Sequence, residues 1–342
     1  MRLLSFSLIA LFLLSLGALG QENTLVVYTY DSFVSFGPAT EIESRFEAQT
    51  GVDVQFVATD DSRSMLARML TERDSGGTPA DVFIGVEVND LSTATEDGAF
   101  LSLSESEIPN LQHIDSTVRF DAENRLLPYE HGFITLVYDS ETISEDELPQ
   151  TFEDLADPRF RDKLLVQDPR TSSPGLSFLL WTIHEFGDPG YLNYWAQLFP
   201  NILTVTPGWS EAFTLFLQGE APIIVSFSTD NAFDVIVNGS NRNRILLLQN
   251  QGYRTIFGAG VVDTSDQVDL AKQFVNFLLS EEVQTLLPTS EWMFPANPNA
   301  LLPAPFYQNA VRPPVAASMD AATVSENLDR WLRAWSNVAL GQ

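Results

Sequence analysis

The sequence predicts a two-lobed α/β protein, built from mostly parallel sheets with a hinge and an interlobe cleft. Three observations carry this. An apolar leader precedes roughly 320 further residues, more than one compact core usually holds. Buried-strand and amphipathic-helix patterns then alternate in the order of a parallel α/β sheet. Finally, the chain leaves one such unit, builds a second and returns. Two strands therefore cross between lobes, and ligands commonly bind in the cleft beneath such a hinge.

The leader comes first. Arg2 gives a short positive start, Leu3 to Leu19 are apolar or small, and Ala18-Leu19-Gly20 offers small residues where a signal peptidase reads them. Residues 1–20 thus read as a secretory signal peptide cleaved after Gly20. A retained membrane anchor is the alternative, since a short spanning helix needs ~17 apolar residues. The chain has no cysteine, which excludes a lipoprotein anchor, disulfides, thiolate zinc sites and cysteine nucleophiles together. Its formal net charge is −28, and cleavage would remove one further Arg. Such a surface repels nucleic acid. It attracts a cationic solute at long range, or serves solubility in salt; the composition fits both.

In the first lobe, Thr24 to Thr29 is a continuous apolar strand of the parallel type. A helix follows over Pro38 to Ala48, with Ala39, Ile42 and Phe46 on one face and Gly51 after its end. Val52 to Val57 alternates as a second strand. Ser62 to Arg73 carries Met65, Leu66, Met69 and Leu70 at helical spacing, and Pro79 to Gly85 is a third strand. After an irregular stretch from Ser102 to Asn124, the strand Phe133 to Tyr138 enters the second lobe.

There, Phe152 to Ala156 is a short helix, Leu164 to Val166 a strand, and Gly175 to Phe186 a helix, with Ser173 as N-cap and Pro174 in its first turn. Trp209 to Gln218 is helical and Ile223 to Phe227 a strand. Tyr253 to Val262 returns to lobe one, followed by an amphipathic helix over Val268 to Leu279. A Pro-rich wrap, Pro295 to Pro314, precedes a last helix around Trp331 and Trp335. The expected lobes are 21–126 with 253–297, and 127–252 with 298–342.

No catalytic pattern emerges. His113, His131 and His184 lie far apart without a metal-binding motif; His131 follows Glu130 at the crossover and is a candidate for the cleft wall. No nucleophile elbow, P-loop or dinucleotide fingerprint is present, and no cofactor is indicated. Acid pairs such as Asp60-Asp61 are expected by chance among 46 acids. More informative are aromatics beside small polar residues at element ends: Tyr28 to Phe33, Pro207 to Glu211, and Glu291 to Pro295. Carboxyl ends of strands face the crevice in open α/β sheets, and aromatic faces there suit a flat or cationic ligand. The start Thr171-Ser172-Ser173-Pro174-Gly175 offers free N–H groups and hydroxyls to an anion, or simply caps its helix.

These segments carry a resemblance. VVYTYDSF, ADVFIG, LPYEHGFITLVYD, LLVQDPRTSSPGLSFLLW, TVTPGWSEAFTLFLQGEAPIIVSFST and EWMFPANP occur in this order. Together they resemble the thiamine-binding periplasmic proteins of ABC importers, within the group that includes ferric-iron and polyamine binders. The resemblance implies a type II periplasmic binding fold, with a monomer closing on thiamine or thiamine phosphate. It further implies a periplasmic location, and delivery to an ABC permease with its ATPase subunit. Carried over by position, Tyr30 and Trp292 contact the ligand rings, while Ser172, Ser173 and Trp209 receive its hydroxyethyl or phosphate end. Asp31 and Asp61 complete the set of expected ligand contacts.

The chain also departs from the family. Phe36 stands where a Trp is common, and Phe227 and Phe233 where tyrosines are. Three aromatic faces are kept and three donors lost, which favours free thiamine over its phosphates. Asp230, at a position usually small, either faces the thiazolium cation or caps a helix at the surface. The adjacent tyrosines of ferric binders are absent from Val225 to Thr229, so iron is not expected. Another small cation or heteroaromatic, such as a polyamine or a pyrimidine precursor, is the alternative ligand. A thiaminase-like enzyme of this architecture would need a cysteine nucleophile.

Overall fold

Among the described residues, eleven strands join in one hydrogen-bonded sheet that runs through both lobes of the computed structural model. The structure describes residues 24–341; the expected leader lies outside them. In chain order the strands are β1 (Thr24–Thr29), β2 (Asp53–Ala58), β3 (Val82–Glu87), β4 (Leu127–Asp139), β5 (Leu164–Gln167), β6 (Ile202–Thr206), β7 (Ile223–Phe227), β8 (Asn243–Leu246), β9 (Gln251–Val261), β10 (Phe294–Pro295) and β11 (Val315–Ala317). Their spatial order is β2-β1-β3-β9-β4-β7-β5-β6, with β10 and β8 added on β4 and β11 on β9. Pairing is parallel in the flanks, β1 with β2 and β3, and β5 with β6 and β7.

The centre is antiparallel. Strand β4 pairs with β9 along Leu127 to Ile134 and with β7 from Ile134 to Tyr138, while β9 also pairs with β3. These two long strands therefore belong to both lobes, and they are the crossing segments anticipated from the chain order. Burial divides accordingly. One core gathers Leu25, Phe46, Ile84, Tyr129, Phe274 and Leu278; another gathers Phe152, Leu164, Trp181, Trp195, Tyr253 and Trp335. Phe227 packs against both.

Several boundaries differ from expectation for local reasons. Strand β3 does not end at Gly85 but bulges there, with Gly85 at φ +112°, and continues to Glu87. A side chain at Gly85 would strike the Tyr30 ring within 2.5 Å, so the left-handed glycine both makes the bulge and admits the tyrosine. The second-lobe helix spans Ser173–Phe186, and its cap is Ser172, not Ser173: Ser172 is extended and its Oγ accepts the Gly175 N–H at 3.4 Å. Strand β4 begins at Leu127, six residues before the apolar run suggested. A helix over Gly190–Leu198 and strand β6 were not anticipated, although Tyr191, Tyr194, Trp195 and Leu198 have helical spacing.

The C-terminal helix Ala321–Ala339 locks against the second core through Trp331 and Trp335. Trp335 meets Trp195 edge-on at 5.5 Å. The same helix reaches the first lobe, where Ser325 Oγ lies 2.6 Å from Ser92 Oγ. Truncating a fully buried Trp costs ~3–5 kcal/mol. Trp335→Ala should lower the unfolding free energy by about that amount in urea titration, with the first transition reporting the second lobe.

Candidate ligand-binding cleft

Alternation along the crossing strands decides what faces the cleft. Glu130 on β4 and Phe257 on β9 point into it, joined by Tyr30 from the end of β1 and by Glu291 and Trp292 from the loop before β10. From the second lobe come Trp209, Phe213, Phe227, Asp230 and Phe233. Trp209 stacks on Phe213 at 4.5 Å and 16°, and its Nε1 donates to Ser226 Oγ at 2.8 Å. Phe233 meets Trp292 edge-on at 5.2 Å, and Trp292 itself is held at φ +59°. Phe36 closes the rim, 48% exposed and edge-on to Trp209. Among the described residues, no Lys or Arg lines this wall or the adjoining depression around Asp31, Asp60 and Glu211.

Beneath the aromatics lies a cluster of acids. The Tyr30 hydroxyl is 2.7 Å from Glu291 Oε1, 3.2 Å from Glu130 Oε1 and 3.0 Å from the Tyr129 hydroxyl. Glu130 Oε2 has no partner among the described residues although buried. Burial first, then the Glu291 charge, hold the Glu130 carboxyl well above the usual range. Burial likewise pushes Glu291 up to about 8, against its bond from Tyr30. Asp230 is buried, not a surface cap, and rises to about 7 for the same reason while Ser226 donates to it. An aromatic box floored by carboxylates attracts a cationic ring and accepts N–H donors.

Asp61 occupies the opposite end. One carboxylate oxygen accepts the N–H groups of Ser62 at 2.8 Å and Ser173 at 3.0 Å; the other accepts Ser172 Oγ at 2.9 Å and the Trp209 N–H at 3.2 Å. A first-lobe carboxylate thus sits on the N-termini of two second-lobe helices, which favour negative charge. Burial raises its pKa, opposed by those four bonds.

Similarity to known proteins follows the same outline. Residues 77–317 match the model of the bacterial extracellular solute-binding proteins. The chain belongs to this family. It is 34% identical over 337 residues to a thiamine-binding periplasmic protein of Brucella melitensis, covering 98% of this chain and 97% of the relative. It is 31% identical to the thiamine-binding periplasmic protein of Escherichia coli K12, covering 92% and 93%. A solved periplasmic thiamin binding protein superposes with a TM-score of 0.84 at 30% identity, over 92% of this chain and 96% of that one.

In this solute-binding protein, Tyr30, Phe36, Asp61, Trp209, Phe227, Asp230, Phe233 and Trp292 line one cleft, and Asp31 lines the depression beside it. Ser172 and Ser173 are fully buried under Asp61. His131 lies on the other face of β4 and does not reach the cleft. Glu130, Glu291, Phe213 and Phe257 are cleft residues outside the expected ligand contacts; the two glutamates entered the sequence reading only as neighbours of His131 and Trp292, since single acids among 46 carry no pattern. Because the folded Glu291 carboxyl titrates near 8 and an ordinary one near 4.5, its burial costs stability increasingly between those pH values and no more above them. The urea midpoint of the unliganded protein should therefore fall from pH 5 to 8, and Glu291→Gln should flatten that decline; an unchanged slope would refute the assignment.

Proposed function

We propose that this protein captures thiamine outside the cytoplasm for an ABC importer. The observation that carries the reading is the cleft wall itself: aromatic faces over the carboxyls of Glu130, Glu291 and Asp230, with no cationic side chain among the described residues. Thiamine is a cationic thiazolium joined to an aminopyrimidine. The cation suits the acids and aromatic faces, and the exocyclic amine suits the unpartnered Glu130 oxygen. The thiamine-binding relatives and the solved thiamin binding protein support the same ligand.

Free thiamine fits better than its phosphates. The N–H groups that would hold a phosphate already bond Asp61, and Phe36, Phe227 and Phe233 bring no donors. The wider reading follows the family: a periplasmic monomer, exported by residues 1–20, that presents its loaded form to a permease coupled to an ATPase. Residues 21–126 with 253–297 would move against 127–252 with 298–342. The protein's contribution is affinity and lobe movement, not bond-making.

Thiamine should quench the fluorescence of Trp209 and Trp292 and spermidine should not; quenching by spermidine at equal concentration would favour a polyamine binder. In titration calorimetry, thiamine should bind more tightly than thiamine phosphate, and the reverse order would overturn the preference. A cation binds the ionised acids, so thiamine affinity should rise from pH 6 to 8.5 with release of protons. Heats measured in buffers of different ionisation enthalpy would report that release, and Glu291→Gln should diminish it.

A further inference from the structure

The face of the hinge opposite the cleft carries a second depression, of about 320 Å³. The alternation that sends Glu130 and Phe257 into the cleft sends His131 and Arg254 out of it. Arg312 comes to the same depression from the second half of the Pro-rich wrap, and Asp115 and Asn297 from the first lobe.

Its charge runs against that of the molecule. The chain has 18 Lys and Arg against 46 Asp and Glu, and most described guanidinium groups sit on a carboxylate. Among the described ion pairs, Arg254 and Arg312 have none, yet both face this one depression. Arg254 uses a single N–H, from Nη2 to the Thr117 carbonyl at 2.7 Å, and its other guanidinium N–H groups meet no acceptor among the described residues. Arg312 lies over the Phe294 ring at 3.7 Å from its centroid. Stacking fixes the guanidinium plane and leaves its donor edge open. His131 also stacks on Phe294, at 5.7 Å and 24°, and burial with the two nearby arginines pushes it down to about 4, so that it is neutral near pH 7. Among the described residues Asp115 is the one carboxylate in the lining, and its Oδ1 already accepts the Thr117 N–H at 2.8 Å.

We propose that this depression is a second binding site, for a small multivalent oxyanion held between the guanidinium groups of Arg254 and Arg312. Phosphate and tricarboxylates share the required chemistry: several acceptor oxygens within reach of two planar forks. The site stands apart from the cleft and does not depend on the identity of the cleft ligand. Arg254 belongs to a crossing strand, and Arg312 to the segment leading into β11, which pairs with that strand in the second lobe. An anion bridging them would tie the segment before β11 to the crossing strand it already pairs with.

The test is calorimetry of the full mature chain with citrate and, separately, inorganic phosphate, ionic strength being matched with sodium chloride. One saturable site is expected for at least one anion, retained when the cleft is filled with thiamine. R312Q and R254Q should each weaken it about tenfold or more, as loss of charge-assisted bonds implies. Lys163→Gln, removing a cation outside the depression, should leave it unchanged. R312Q decides alone if R254Q, which also loses the Thr117 contact, fails to fold. Binding that persists within twofold in R312Q, that vanishes at matched ionic strength, or that is absent for both anions overturns the site.

Discussion

The pairing of β4 with β9 is the constraint on which the rest of the molecule depends. These strands are the seam between two hydrophobic cores, and their period of two gives the hinge two unlike faces. One face presents Glu130 and Phe257 to a cleft of aromatic rings and buried acids. The other presents His131 and Arg254 to a basic depression. A one-residue slip in this register would exchange the faces. The bulges at Gly85 and near Pro128 are therefore part of the site, because they fix which residues arrive where.

The cleft combines groups that a soluble core would avoid. Glu130, Glu291 and Asp230 cost free energy to bury in charged form, which raises their pKa values, and hydrogen bonds from Tyr30 and Ser226 offset part of that cost. Such an arrangement is destabilising by itself and useful to a cation, since the ligand supplies the charge that the fold withholds. Around it the aromatic rings pack edge-on and face-on, so that the wall is stiff before a ligand arrives.

Much of this was legible in the sequence, and the remainder has identifiable reasons for being hidden. Strands β1, β5 and β7 and the helix Val268–Leu278 follow directly from apolar periodicity. Aromatics at element ends, above all Tyr30, Trp209 and Trp292, pointed to a cleft because strand ends face crevices. The serines at 172 and 173 were legible as a helix start but not as one already occupied; that required Asp61, distant in sequence by more than a hundred residues. Glu130 gave no signal among so many acids, and His131, its neighbour, was a cleft candidate only until strand register separated them. Boundaries moved where tertiary contacts override local pattern, as at Gly85, where a strand continues through a residue that commonly ends one.

Asp61 has a further consequence. Its bonds to Ser172, Ser173 and Trp209 join the lobes with a group that belongs to the protein itself. A bond made only when the lobes meet raises the closed fraction with or without ligand, and with it the apparent affinity. It can also alter timing, by slowing entry into a cleft already held shut and by slowing escape afterwards. The residence time of the cargo, and so its chance of surviving the journey to the membrane, would then be set by an aspartate that need not touch it.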